Sequence, residues 1–309
     1  MLSHDIARYV ELHRSIGFKF RSQHILLRSF GRFADAHGDR FVCTATVLSW
    51  AGQAPSPPQR HNRLATVRRF ALAMRAEDPH HEVPPSEAFG RAWFKRRSPH
   101  LYSPEQIAAL LGAASRLSPR HSIRPITYRT LLALLAVTGL RISEALALEI
   151  GDLTEDGLIV RATKFHKSRL VPLHESTDRA LREYLRQRAR VGTTSSAFFI
   201  SRKGVALPYP TVARIFLHLA RSIGLRAGPG QRGPRIHDLR HTFAVRSLVR
   251  SSLERCSGTA AEVARHAVAL STYLGHTHVS DTYWYLQATP TLMRQIAHLG
   301  ESLHRGAQP

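Results

Sequence analysis

The stretch "LGHTHVSDTYWYL", Leu274 to Leu286, sets a glycine and a histidine shortly before two tyrosines that lie two residues apart, Tyr283 and Tyr285. Ser280 suits a helix N-cap and Asp281 suits a first helical turn, so both tyrosines are expected on one short helix that ends before Pro290. Residues two apart differ by roughly 200 degrees around a helix. Only one phenol can then face a site, and this stretch alone does not say which.

Three stretches further upstream carry the other reactive side chains. In "HDLRH", residues 237–241, His237 and Arg240 share one helix face at i and i+3, as do His237 and His241 at i and i+4. As H-x-x-x-H the pair resembles a zinc site of metallopeptidases. Yet the glutamate after the first histidine is Asp238 here, and Arg240 would bring a cation beside the metal. The alternative pairs His237 as acid or base with Arg240 as an oxyanion clamp. In "TGLRISEAL", Arg141 stands just past a glycine stop at the entrance of a new helix, where backbone amides and the helix dipole favour an anion. Lys164 and Lys167 lie in "KFHK", between "GLIVRAT" and "SRLVPL", two runs that read as the strands of a hairpin. Singly, each of these residues is equally a surface side chain beside a turn.

Taken in order, an arginine at a helix start, a lysine in a hairpin, H-x-x-R, and G-H with tyrosine nine residues after the histidine resemble the tyrosine recombinase family of phage integrases and Xer-type recombinases. The resemblance covers about Tyr102 to Pro290. It implies a catalytic set of Arg141, Lys164, His237, Arg240, His276 and Tyr285, with Lys167 a weaker substitute for Lys164, and it selects Tyr285 over Tyr283 by spacing. It also implies a reaction. A phenol attacks a DNA phosphodiester, forms a 3′-phosphotyrosine and expels a 5′-hydroxyl, with no cofactor and no metal. The two arginines would hold the phosphorane-like charge, His276 would add a hydrogen bond, His237 would be the base, and Lys164 the acid. One departure concerns length: 36 residues separate Arg240 from His276, about a dozen more than is usual in the family, with the excess expected in "RSSLERCSGTAAEVARHAV" as an inserted loop or lengthened helix containing Cys256. That feature and "ALSTYLGHTHVSDTYWYL" resemble recombinases of transposons and other mobile elements.

Around this set, the sequence predicts a mainly α fold with a small antiparallel β-sheet in the catalytic domain. "YSPEQIAALLGAA" opens a helix with Ser103 as N-cap, Pro104 at the first position and Gln106 closing a capping box. "ITYRTLLALLAVTG" is a strongly apolar helix stopped by Gly139, "AFFIS" reads as a strand, and "PYPTVARIFLHLARSIG", "HDLRHTFAVRSLVR" and "TLMRQIAHLGESLHR" read as helices. Residues 1–78 read as a helical bundle, with Leu26, Leu27, Phe30 and Phe33 at helical spacing and Gly17 and Gly38 as stops. It resembles the family's core-binding, SAM-like DNA-binding domain. Residues 79–100, rich in proline and ending in Lys95, Arg96 and Arg97, read as a linker, and 101–309 as the catalytic domain. Arg60, Arg63, Arg68 and Arg69 on the last bundle helix, together with the linker cations, are the candidate DNA-binding residues. A solvated face would look the same.

The charge agrees with such a partner. The 309 residues hold 44 Lys and Arg against 22 Asp and Glu, a net charge of +22, which points to a polyanion. Only five of these cations are lysines, although a GC-rich codon preference would give the same bias. The longest apolar run, "LLALLAV", is far short of the roughly 20 residues needed to span a bilayer. Asp5 and Arg8 interrupt any signal-peptide core, so a cytoplasmic protein is expected, associated with the nucleoid when DNA-bound. Cys43 and Cys256 offer no disulfide framework or zinc cluster. The expected partner is double-stranded DNA. Leu292, Ile296, Leu299 and Leu303 form a stripe that suits either intradomain packing or, as the resemblance implies, docking onto a neighbour in a tetramer, with companion recombinases as further partners. Two other function classes compete: a DNA-binding protein without catalysis, which has no physical need for a tyrosine at that spacing, and a metal-dependent hydrolase built on the histidines.

Overall fold

The computed structural model describes residues 2–90, 98–161, 168–228, 231, 233–253 and 260–275. The chain forms two compact units, Met1–Arg97 and Ser98–Pro309. The described residues are mainly helical, with one two-stranded antiparallel sheet. None of their helices is long and apolar enough to cross a membrane.

The first unit contains α1 (Leu2–Ser15), α2 (Arg21–Ala36), α3 (Thr44–Gly52) and α4 (Pro57–Glu77). Each contributes an apolar stripe: Leu2, Ile6 and Val10 from α1, Leu27, Phe30 and Ala34 from α2, Val47 and Trp50 from α3, and Leu64, Val67, Phe70 and Met74 from α4. All are spaced by three or four residues, so each helix can bury one side. The chain after α4 stays on this core. Buried His81 accepts the Val42 N–H at Nδ1 (3.1 Å), the Glu82 N–H donates to Val42 O (2.8 Å), and the Glu82 carboxylate accepts the Thr44 N–H at the start of α3 (2.7 Å). Val83 and Phe89 pack against the same cluster. A proline-rich segment that composition reads as linker is therefore docked through residue 90, because it supplies the caps that α3 lacks in its own sequence.

In the second unit, α5 (Pro104–Ser115) begins with the expected capping box: Ser103 Oγ accepts the Gln106 N–H (3.2 Å) and Gln106 Oε1 accepts the Ser103 N–H (3.1 Å). Next comes α6 (Arg124–Thr138), the centre of the unit. Leu131, Leu132, Leu134 and Leu135 are all buried, which a one-sided helix could not achieve. It packs against α5, α7 (Ile142–Ala147), α8 (Glu175–Ala189) and α10 (Asp238–Leu253), while α9 (Tyr209–Ser222) lies on α5 and α7 and α11 (Ala260–Leu274) on α10. Strands β1 (Leu158–Val160) and β2 (Arg169–Val171) pair antiparallel with Val160 opposite Arg169.

Two local outcomes differ from the sequence pattern. The helix α8 carries Leu181, Tyr184 and Arg188 as its buried stripe, and the pairs Glu175–Arg179 and Asp178–Arg182 run along its exposed sides. So few apolar positions leave little periodicity to detect. Conversely, "AFFIS" is no regular strand; it makes isolated bridges from Ala197 to Glu149 and from Ile200 to Ala206. The reason lies in its amides. The Phe198 N–H goes to Leu148 O (2.7 Å), whereas the Ile200 N–H is taken by the buried Tyr184 hydroxyl (3.2 Å), which also receives Thr127 Oγ1 (3.3 Å). Tyr184→Phe leaves the Ile200 donor unsatisfied in the core. A loss of about 1–3 kcal/mol is expected, read as a lower urea midpoint with unchanged slope.

Candidate active site

The site begins where α6 stops. Gly139 adopts φ +62° and caps α6, and a Cβ there would come within 2.5 Å of Phe243 Cδ1. Only glycine fits both the left-handed backbone and the approach of α10. Two residues later, Arg141 occupies the N-cap position of α7, with Glu144 at the third helical position. The Glu144 carboxylate is nearly buried and serves two arginines. Oε1 accepts Arg141 Nη1 (2.7 Å) and Arg169 Nη1 (3.2 Å); Oε2 accepts the Arg141 backbone N–H (3.0 Å) and Arg169 Nη2 (2.8 Å). Burial opposes ionisation of Glu144, but the hydrogen bonds and charge of Arg169, then of Arg141, outweigh it and hold its carboxyl below the ordinary glutamate value.

From the other side, α10 supplies Arg240, 2% exposed, which donates to Gly139 O and to Leu274 O, both at 2.7 Å. Arg141 donates to the same turn, Nη2 to Gly275 O at 2.9 Å and Nη1 to Leu274 O at 3.5 Å. Two arginines a hundred residues apart in the chain thus share one acceptor and stand side by side. Gly275 ends α11 with φ +65°, and a Cβ on it would lie 3.1 Å from Arg169 Nη1 and 3.6 Å from Arg141 Nη1. Its missing side chain leaves room for the Arg169 guanidinium, while Arg141 would meet such a Cβ at ordinary contact distance.

His237 precedes α10 and meets His241 edge to face, with ring centroids 4.7 Å apart. Burial, then Arg240, pushes the His237 imidazole below its ordinary value; burial, then His237, holds His241 at about 3. Both rings are therefore neutral near pH 7. The start of α10 is fixed from the beginning of the unit: Tyr102 Oη donates to Arg235 O (2.9 Å), its N–H donates to Thr242 Oγ1 (3.0 Å), and Asp238 accepts the Arg235 N–H (2.8 Å) and Nη2 (3.0 Å). Tyr273, just before the turn, stacks on Phe243, and burial pushes its phenol up to about 12 despite Arg169 and Arg240 nearby. It is thus a poor nucleophile, although it stands closest in sequence to the glycine.

Of the expected site residues, Arg141, His237 and Arg240 are described and converge. Lys164, Lys167, His276, Tyr283 and Tyr285 lie outside the described residues, as do Lys95, Arg96 and Arg97. The strands on either side of residues 162–167 pair as expected, and Leu274 and Gly275 lead directly to His276 in the sequence. The arginines of α4 do not share one stripe. Arg60 Nε donates to Ala54 O (3.1 Å); Arg63 donates to Trp50 O (2.9 Å) and lies 4.9 Å over the Trp50 ring, so both brace the turn before α4. Arg68 is half-buried, and Arg69 is exposed with Nε on Ala65 O of its own helix. The stretch between Arg240 and His276 holds the rest of α10 and all of α11, and Cys256, expected in the insertion, lies outside the described residues. Among the described residues, no three or more His, Cys, Asp or Glu side chains are grouped to hold a metal ion. Sequence reasoning overlooked Glu144 and Arg169. The only signals were the R-x-x-E spacing from Arg141 and a lone arginine at the start of a strand.

The phage integrase family model matches residues 101–291. A protein of Sinorhizobium fredii (strain NBRC 101917 / NGR234) named as an integrase/recombinase, y4rB, is 41% identical over 303 residues, covering 94% of each chain. Tyrosine recombinase XerD of Rhizobium meliloti (strain 1021) is 30% identical over 291 residues, covering 90% of this chain and 84% of its own. In fold, the chain is similar to a lambda integrase tetramer bound to a Holliday junction, with a TM-score of 0.61, 18% identity, and coverage of 92% of this chain and 76% of that one. With the family model spanning most of the second unit and full-length relatives at this level of identity, the chain belongs to the phage integrase family of tyrosine recombinases.

Proposed function

We propose that this chain is a site-specific DNA recombinase that cuts and rejoins strands through a 3′-phosphotyrosine intermediate, with Tyr285 as nucleophile. The observation that carries the reading is the convergence of Arg141 and Arg240 on the turn that precedes His276. Fixed cations beside this turn suit a phosphoryl group whose non-bridging oxygens gain charge in the transition state. The Tyr285 oxygen attacks phosphorus, the phosphorus to 5′-oxygen bond breaks, and the phenolic proton passes to His237. Lys164 protonates the departing 5′-oxygen. Attack by a 5′-hydroxyl of a second strand reverses each transfer, so one phosphoester replaces another and no energy source is consumed.

The side chains divide the work by exposure. Arg141, whose side chain is 30% exposed, faces the phosphate, with His276 as a further donor. Arg240, buried, contributes its charge from beneath the turn, where low dielectric strengthens it. His237 acts as a base because it is neutral at working pH. The partner is double-stranded DNA, held by the catalytic unit and by the bundle acting as a core-binding domain, with Arg60, Arg63, Arg68, Arg69, Lys95, Arg96 and Arg97 on the backbone. Self-assembly to a tetramer on DNA through the segment after Pro290, companion recombinases, a cytoplasmic location at the nucleoid and a mobile-element role complete the reading. The lambda integrase likeness supports the assembly. The long Arg240–His276 interval supports the mobile-element type.

The test is a nicked suicide DNA substrate, which traps the covalent adduct. Wild type and Tyr283→Phe are expected to form it and Tyr285→Phe to form none; an adduct in Tyr285→Phe would overturn the assignment. EDTA is expected to leave the yield unchanged, and its loss would favour the metal-dependent hydrolase instead. Because the His237 pKa is depressed, its basic form persists as pH falls through 6.5. The single-turnover rate should therefore stay flat through that value and decline only at more acid pH. A decline centred at or above 6.5 would remove His237 as the base.

A further inference from the structure

Arg169 is the least exposed cation of the Glu144 cluster at 15% of its side chain, against 30% for Arg141. It makes no contribution to the reaction as proposed above, yet it spends both terminal nitrogens on Glu144 in a bidentate grip and lies where a side chain on Gly275 would start, its Nη1 3.1 Å from the place of a Cβ there. We infer that Arg169 is a positioning residue for strand cleavage: by sharing Glu144 with Arg141 and filling the space beside Gly275, it keeps Arg141 aimed and positively charged toward the phosphate. The inference rests on the recombinase reading.

The reasoning is one of charge and of geometry. Glu144 holds Arg141 by both the backbone amide and Nη1, which fixes where the guanidinium begins and where it points. Alone, that carboxylate would also cancel the Arg141 charge, since an ion pair of this length in a shielded site is close to neutral at any distance beyond itself. Arg169 supplies a second cation to the same two oxygens, so the trio retains one net positive charge next to the turn. Both Glu144 oxygens then carry two donors each and have no reason to draw Arg141 further inward. The geometric part follows from place. Arg169 opens β2, shortly after Lys164 in the sequence, and occupies the space beside Gly275, directly before His276. One rigid side chain therefore ties the strand next to the proposed acid and the turn next to the second histidine to the Arg141 helix. Lysine, with a single movable ammonium, can replace the charge but not the fork.

The experiment compares full-length wild type, Arg169→Lys, Arg169→Met and the double variant Arg169→Met with Glu144→Gln on the nicked suicide substrate. It measures single-turnover cleavage rate, DNA affinity and thermal midpoint. Arg169→Met is expected to cleave roughly 10²-fold more slowly, the scale of losing one preorganised charge, with DNA affinity within about twofold because the side chain reaches Glu144 and not the DNA. Arg169→Lys should recover part of that rate. The double variant should cleave faster than Arg169→Met, since removing the carboxylate as well frees the Arg141 charge. A packing role would not predict that recovery. Wild-type rates in Arg169→Met, or a double variant no faster than the single one, would overturn the inference; if Arg169→Met does not fold, an Arg169→Lys rate equal to wild type does the same. Absence of any adduct with the wild type would instead sink the recombinase reading and this inference with it.

Discussion

Leu274 and Gly275 present two carbonyl oxygens at the end of α11, and two arginines from distant parts of the chain converge on them. Guanidinium groups cannot be left dry without partners, because an unpaired buried charge costs several kcal/mol. Among the described residues the protein answers that demand with backbone carbonyls at Gly139, Leu274 and Gly275 and with the Glu144 carboxylate. The end of α6, the start of α7, the first residue of β2, α10 and the end of α11 must all be in register for those bonds to form at once. The helix core around α6 therefore does more than bury apolar surface; it sets the separation of the parts that hold the charges.

This arrangement also explains why the site can be cationic without collapsing. Arg141, Arg169 and Arg240, set against the Glu144 carboxylate, keep a net positive field at the turn, and the neighbouring histidines, neutral through burial, add no further repulsion at neutral pH. Tyr273 shows what happens to a phenol partly buried against the same cluster: its pKa rises to about 12. A working tyrosine has to reach the phosphate from outside that cluster, and the spacing from His276 is why Tyr285 is the phenol proposed for that role.

Much of this was legible in the sequence, for identifiable reasons. Gly139 stands out because a left-handed stop has few chemical solutions, whereas Arg141, His237 and Arg240, ordinary when taken singly, stand out through the order they share with the tyrosine recombinase family. Helix α8 was harder to see, since its buried stripe is only Leu181, Tyr184 and Arg188 among charged neighbours. "AFFIS" misled in the opposite direction, its apolar run serving the core while a tyrosine hydroxyl took the amide that a strand would have used. The proline-rich stretch after α4 was similarly ambiguous, because its docking depends on His81 and Glu82 finding the amides of Val42 and Thr44.

By itself, the sequence determined the class of chemistry through a resemblance: a basic chain with arginine, lysine, H-x-x-R, and G-H followed by tyrosine, in the order of the tyrosine recombinase family, which implies transfer of a phosphoester. Those are properties of residue type and local spacing, which need no third dimension. Only the tertiary structure decided how the charge is managed. Glu144 and Arg169 are 25 residues apart in the chain, and Arg141 lies 134 residues before the carbonyl it holds. Pairings over such distances follow from how helices and strands pack, so no local pattern could disclose that one carboxylate holds two arginines against a single glycine.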